Sequence, residues 1–161
     1  MSKIKYFIMD VDGTLTDGKI YMGSDGELCK AFDIKDGCGI HDILLPAGII
    51  PIIITGRTSK ILKNRCREIG ISQLFQGIRD KKEALDEILR KTGDTYNRVA
   101  YIGDDINDLC CMDPIKKADG LIGCPSDAAK QVKDLADFIS AKPGGNGAVR
   151  EFIEWVLDVS L

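Results

Sequence analysis

The chain has 161 residues, a net charge of −3, 44% hydrophobic residues and no dense Lys/Arg run. That length suits one domain with a proper core, and the mild acidity argues against nucleic-acid or membrane-surface binding. The apolar runs are too short for a bilayer, Met1-Ser2-Lys3 leads straight into the first of them without a leader-like pattern, and six cysteines lacking zinc spacing read as reduced thiols of a cytoplasmic protein.

Ile4 to Met9 has the length and apolarity of a buried strand and ends abruptly at Asp10-Val11-Asp12-Gly13-Thr14. Side chains two apart in a strand share a face, so Asp10 and Asp12 can converge where the strand stops. Gly13 and Gly18 allow a tight turn there. Adjacent carboxylates resist joint ionisation and call for a cation, and an all-oxygen set suits Mg²⁺ better than Zn²⁺. Taken alone, the motif also fits a strand running into an Asp-Gly turn.

Residues 19–33 hold two strand-like runs, Ile20-Tyr21-Met22 and Leu28 to Phe32, around Gly23-Ser24-Asp25-Gly26. This is a hairpin pattern, too short for a lid domain. After Asp36-Gly37-Cys38-Gly39, the spacing of Ile40 to Leu45 predicts a helix that stops at Gly48. Ile49 to Ile54 is aliphatic enough for a central parallel strand buried on both faces, and it ends in Thr55-Gly56-Arg57. Thr58 or Ser59 is expected to cap a helix through about Ile69, closed by Gly70, with a short strand at Leu74-Phe75.

Asp80-Lys81-Lys82-Glu83 reads as a capping box opening an amphipathic helix, with Ala84, Leu85, Ile88 and Leu89 inward. The strand Arg98 to Ile102 ends in Gly103-Asp104-Asp105-Ile106-Asn107-Asp108. A helix is expected from there to about Met112, broken by Pro114, with the vicinal Cys110-Cys111 pair as buried packing. A strand at Ala118 to Gly123 and a helix at Ser126 to Leu135 follow. Residues 142–147 read as a flexible Gly-rich stretch before an amphipathic helix, Ala148 to Leu157. The alternation of strands and helices predicts an α/β fold, a parallel sheet with right-handed crossovers.

In such a sheet the strand ends share one edge, so Asp10/Asp12, Thr55 and Asp104/Asp105/Asp108 can surround one point, with Lys81 opening the intervening helix. Five carboxylates, a cation and a lysine suit phosphoryl transfer and make a poor core. In its order, this set resembles the haloacid dehalogenase-like (HAD) superfamily of phosphotransferases: Asp10-Val-Asp12-Gly-Thr first, then Thr55, Lys81 and Gly103-Asp104-Asp105-Ile-Asn-Asp108. The resemblance covers essentially the whole chain. It implies a Rossmann-like parallel sheet flanked by helices, one domain over 1–161. A β-hairpin at 19–33 would replace the cap domain, and 142–161 would be a Gly-rich tail and C-terminal helix.

The resemblance further implies that Asp10 forms an aspartyl-phosphate. Asp12 would protonate the leaving alcohol and then deprotonate the attacking water. Mg²⁺ would be held by the Asp10 side chain, the Asp12 carbonyl and the Asp104 side chain, with Asp105 and Asp108 supporting those ligands. Thr55 and Lys81 would hold phosphoryl oxygens.

The short hairpin is similar to that of the small, minimally capped tetrameric phosphatases. The stretches Leu15-Thr-Asp-Gly18, Ile20-Tyr-Met-Gly23, Lys30-Ala-Phe32, Phe75-Gln-Gly77 and Gly144-Gly-Asn-Gly-Ala-Val-Arg-Glu151 resemble the 3-deoxy-D-manno-octulosonate 8-phosphate (KDO 8-phosphate) phosphatases. That resemblance implies a Mg²⁺-dependent phosphomonoester hydrolase, KDO 8-phosphate as substrate, and a homotetramer with the hairpins at its core. The Gly-rich tail would reach a neighbouring active site. Substrate contacts would fall on Asp33, Ile34, Lys35, Asp36, Gly37, His41, Gly56, Arg57 and Arg65. Arg57 and Arg65, eight apart on one predicted helix, could take a sugar-acid carboxylate. Thr55-Gly56-Arg57 matches the KDO branch, whereas His41 stands where that subfamily usually has arginine. An N-acylneuraminate or KDN 9-phosphate therefore stays open as substrate, as does a non-catalytic partner of a sugar-acid cytidylyltransferase, although no motif residue is missing.

Overall fold

A computed structural model describes residues 3–160; residues 1, 2 and 161, which close the expected 1–161 span, lie outside the described residues. The chain after Lys5 forms β1 (Tyr6–Met9), the hairpin strands β2 (Tyr21–Gly23) and β3 (Gly26–Cys29), then β4 (Ile50–Ile54), β5 (Gln73–Phe75), β6 (Val99–Ile102), β7 (Leu121–Cys124) and β8 (Phe138–Ile139). Six of these make one parallel sheet in the order β5-β4-β1-β6-β7-β8, while β2 and β3 pair only with each other. β1 lies inside, with Met9 across from Ile53 on one side and Ile102 on the other. The ends of β1, β4 and β6, after Met9, Ile54 and Ile102, are thereby brought side by side.

The pleat of β1 divides the core in two. Phe7 and Met9 face one side, with Ile40 and Leu44, Leu62 and Cys66 of α2 (Lys60–Glu68), and Phe152 and Val156 of α6 (Ala148–Ser160). Tyr6 and Ile8 face the other, with Leu85 and Leu89 of α3 (Lys81–Thr92) and with Cys111, Met112 and Ile115 of α4 (Leu109–Lys117). Helices therefore cover both faces, and each buried strand reads as a continuous apolar run.

Several local expectations change. The helix expected from Ile40 begins earlier, as α1 (Ile34–Cys38), and runs on as a π-helical segment, Gly39–Leu44. Asp33 starts it, accepting the Lys35 N–H at 2.6 Å, a cap that short polar side chains make readily. Pro114 does not end α4: Met112 and Ile115 remain fully buried on one face, and that packing outweighs the bond Pro114 cannot donate. Of the vicinal thiols only Cys111 is buried; Cys110 is exposed. The helix expected from Ser126 starts later, as α5 (Lys130–Leu135). β8, only two residues long, has no sequence signal of its own and exists by pairing Phe138 and Ile139 with Gly123 and Cys124.

The Gly-rich stretch expected to be flexible is packed. The Gly145 N–H donates to the Thr14 carbonyl at 3.0 Å, and the Gly144 N–H to Asp127 Oδ1 at 3.0 Å. A Cβ on Gly144 would stand 1.9 Å from the Gly13 oxygen. The segment lies on the loop of its own chain, because only bare backbone can approach that loop so closely.

Candidate active site

Asp10 follows β1 directly, and its N–H donates to the Ile102 carbonyl at 3.1 Å. The Val11 carbonyl then collects the N–H groups of Thr14, Leu15 and Thr16 at 2.9–3.1 Å, winding the chain into a tight turn. Gly13 is in the left-handed region at φ +90°, and a Cβ there would stand 2.0 Å from Asp104 Oδ2. Glycine is required on both counts. Asp104 lies two residues beyond β6, and its Oδ1 accepts the Thr14 hydroxyl at 3.1 Å.

Lys81, the first residue of α3, is buried with its Nζ 3.0 Å from Asp10 Oδ1 and 2.8 Å from Asp108 Oδ1. The helix starts there because Asp80 accepts the Glu83 N–H at 2.9 Å. Asp108 is committed on both oxygens. Oδ1 also accepts the Tyr101 hydroxyl at 2.8 Å, and Oδ2 accepts the N–H groups of Asp104 and Asp105 at 3.1 and 3.3 Å. It therefore clamps Lys81 and the 103–108 turn. Asp105 turns the other way and accepts the Ile106 N–H at 2.7 Å. Thr55, buried at the end of β4, is tied through its N–H to the Phe75 carbonyl at 2.9 Å.

Asp10, Asp104 and Asp108 place carboxylate oxygens within 4.8 Å of one another. Burial first, then the charge of Asp108, pushes the Asp10 carboxyl above the usual carboxylate range. Burial, then the charges of Asp10 and Asp108, does the same to Asp104. Burial alone would lower Lys81, but Asp108 and Asp10 outweigh it and hold its ammonium above the ordinary value. Buried and half-buried carboxylates that repel one another and offer oxygen ligands fit a hard divalent cation.

Two residues with no site role expected from the sequence, Lys30 and Glu27, join this site, together with Ser59, expected only as a helix cap. Lys30, just after β3, places its Nζ 2.5 Å from Asp12 Oδ1 and 3.0 Å from Glu27 Oε1. Glu27 accepts the Ser59 hydroxyl and lies 4.0 Å from Arg57 Nη2. The hairpin thus closes over the ends of β1 and β4. The available signal was a Glu and a Lys three apart on a short hairpin beside an acidic motif.

The expected substrate contacts fall into two groups. Arg57, its side chain 45% exposed, lies by the strand ends with Gly56. It is not on the helix of Arg65, because Ser59 caps α2 by accepting the Leu62 N–H at 3.2 Å and the helix begins only at Lys60. Arg65, Ile34, Lys35 and His41 line a separate groove between α1, α2 and α6. There the Arg65 Nη1 donates to Glu68 at 2.8 Å, Nε is buried without a partner among the described residues, and a Cβ on Gly37 would be 2.3 Å from Nη2. His41 is exposed, its Nδ1 2.7 Å from Asp42. Asp36 is buried and accepts the N–H groups of Gly147 and Arg150 at 3.4 and 2.9 Å, where α6 begins. Burial pushes its carboxyl up to about 6.

No family model matches the chain. The 3-deoxy-D-manno-octulosonate 8-phosphate phosphatase of Escherichia coli is 41% identical over 154 residues, 96% of this chain and 79% of that protein. The crystal structure of the Yersinia pestis phosphatase of that name is similar with a TM-score of 0.91 and 40% identity, over 99% of this chain and 83% of that one. The Moraxella catarrhalis phosphatase, crystallised with a magnesium ion, a phosphate ion and KDO, gives 0.90 and 42%, over 99% and 88% of the two chains.

Proposed function

This chain belongs to the KDO 8-phosphate phosphatase family of the HAD superfamily, and we propose from that membership that it hydrolyses KDO 8-phosphate to KDO and phosphate through a phosphorylated Asp10. The observation that carries the reading is the cluster of buried Asp10 and Asp108 with half-buried Asp104, in which Lys81 pairs with Asp10 and Asp108. Such a cluster costs stability unless it serves charge chemistry.

The Asp10 and Asp104 side chains and the Asp12 carbonyl would hold Mg²⁺. When bound, the ion supplies positive charge that lets both carboxylates ionise and offsets charge on the phosphoryl group. An Asp10 oxygen attacks phosphorus while the bond to the sugar oxygen breaks, and Asp12 gives that oxygen its proton. Asp12 then takes a proton from the water that attacks the phosphoryl group, releasing phosphate and restoring Asp10. Lys81, held by Asp108, orients Asp10, and with Thr55 it holds phosphoryl oxygens. Arg57, 45% exposed and 4.0 Å from Glu27, would take the sugar-acid carboxylate as a two-pronged donor.

We assign the chain to a homotetramer built through the hairpin, which exposes Ile20, Met22 and Leu28 on a two-strand sheet with no third strand. No helix among the described residues is long and apolar enough to cross a membrane; the six free thiols support our reading of a cytoplasmic enzyme. The test is kcat/KM on KDO 8-phosphate and N-acylneuraminate 9-phosphate with Mg²⁺. The expected outcome is a preference of at least about tenfold for the former, with all turnover lost on chelation. Comparable low rates on both would contradict the assignment.

A further inference from the structure

Lys30 is the most deeply buried charge on the hairpin, with a side chain only 4% exposed, whereas Asp12 beneath it is 20% exposed. Burying an ammonium costs several kcal/mol unless ionised partners compensate, and a two-strand hairpin has little core to recover that cost. Both partners are present. Asp12 Oδ1 lies at 2.5 Å and Glu27 Oε1 at 3.0 Å, and Glu27 is braced by the Ser59 hydroxyl that also starts α2. The chain Asp12–Lys30–Glu27–Ser59 thus runs from the loop after β1, through the hairpin, to the loop after β4.

We propose that Lys30 is a positioning residue for proton transfer to the leaving group. It fixes one oxygen of the Asp12 carboxyl so that the other faces the oxygen that leaves phosphorus. This deepens the reading of Asp12 as acid and base and rests on it. Orientation of a catalytic group matters through its geometry in the transition state, so the loss of Lys30 acts on the step that needs the proton. The hairpin thereby becomes part of the acid–base machinery of its own chain, whatever it does between chains.

A merely structural lysine and a positioning lysine differ in leaving-group dependence. A good leaving group such as p-nitrophenolate departs with little help from an acid, whereas phenolate or an alkoxide needs the proton. kcat/KM stops at the first irreversible step, so hydrolysis of the phosphoenzyme does not blur the comparison. We would measure kcat/KM with Mg²⁺ on p-nitrophenyl phosphate, phenyl phosphate and KDO 8-phosphate for wild type, Lys30→Met, Lys30→Gln and Lys30→Arg, with the melting temperature of each. General acids contribute about 100-fold or more. Lys30→Met is accordingly expected to lose about 100-fold on phenyl phosphate and KDO 8-phosphate but under about tenfold on p-nitrophenyl phosphate, with Lys30→Arg recovering most of the loss. Should Lys30→Met not fold, Lys30→Gln carries the same expected skew. Equal losses on all three substrates, or none, would overturn the proposal and leave the phosphatase reading intact. A wild-type chain that hydrolyses none of them would overturn the phosphatase reading itself.

Discussion

Asp104 sits among carboxylates that burial and mutual repulsion press toward the protonated form. Two consequences differ in sign. In metal-free protein, Asp104→Asn removes repulsion and is expected to raise the melting temperature by about 2–4 °C, the equivalent of roughly 1 kcal/mol at this chain length. The same variant should lose both the Mg²⁺-dependent rise in melting temperature and activity; a lower metal-free melting temperature would contradict the electrostatic account. Asp36 gives a pH signature. Its folded value is pushed to about 6 from an ordinary 3.8, so between those values the native state holds a proton that the unfolded chain has released. Stability from this group is full below pH ~3.8 and lost as pH rises through about 6, roughly 1.4 kcal/mol per unit. Asn at position 36 carries no titrating charge; its one carbonyl oxygen replaces only one of the two that accept the Gly147 and Arg150 N–H groups, a loss that does not vary with pH. The stability of Asp36→Asn relative to wild type, from denaturant melts, should therefore grow by about 2–3 kcal/mol between pH 4 and 7, and a flat difference would refute it. Asp10 and Asp104 were legible in the sequence because strand-end acids in a parallel sheet must share an edge, and Lys81 because the cap at Asp80 marks a helix opening beside that edge. Lys30 was not, because its partner Asp12 lies 18 residues away and only the fold of the hairpin decides that they meet.

At the scale of elements, α6 joins the core to the site. Phe152 stacks with Phe138 and Trp155 and meets Phe7 at a 45° tilt, at centroid distances of 5.3–5.9 Å, and the helix begins where the Gly-rich segment leaves the loop after β1. Truncation by Phe152→Ala is expected to cost about 3–5 kcal/mol in denaturant unfolding, as large-to-small changes in close-packed cores do. Gly144→Ala should act differently. Its Cβ would meet the Gly13 oxygen at 1.9 Å, so that loop must shift and carry Asp12 and Thr14 with it. We expect kcat to fall by at least about tenfold while stability changes by less than for Phe152→Ala. Unchanged kcat would show that the contact is dispensable. The hairpin, the central strands and the Asp80 start of α3 could be read from turn residues, apolar runs and a cap. β8 and the early start of α1 could not, since they depend on strand pairing and on where one Asp side chain turns.

For the molecule as a whole, four short motifs scattered over a hundred residues become one site because β1 lies between β4 and β6 in register. Periodicity foretold that convergence. It could not foretell the partition of the expected substrate contacts, with Arg57 at the strand ends and Arg65, Lys35 and His41 in a groove of their own, since side chains one helix apart in sequence can face different clefts. The tetramer is a question at this scale: Leu28→Glu on the hairpin is expected to lower the sedimenting mass, and an unchanged tetramer would place the interface elsewhere. The central claim is that Asp10 becomes covalently phosphorylated. Acid quench within the first turnover with phosphate-labelled KDO 8-phosphate and Mg²⁺, followed by peptide mapping, tests it most directly. Label on the peptide carrying Asp10, absent from an Asp10→Asn chain, is the expected result; phosphate released in that first turnover with no label on protein would contradict it.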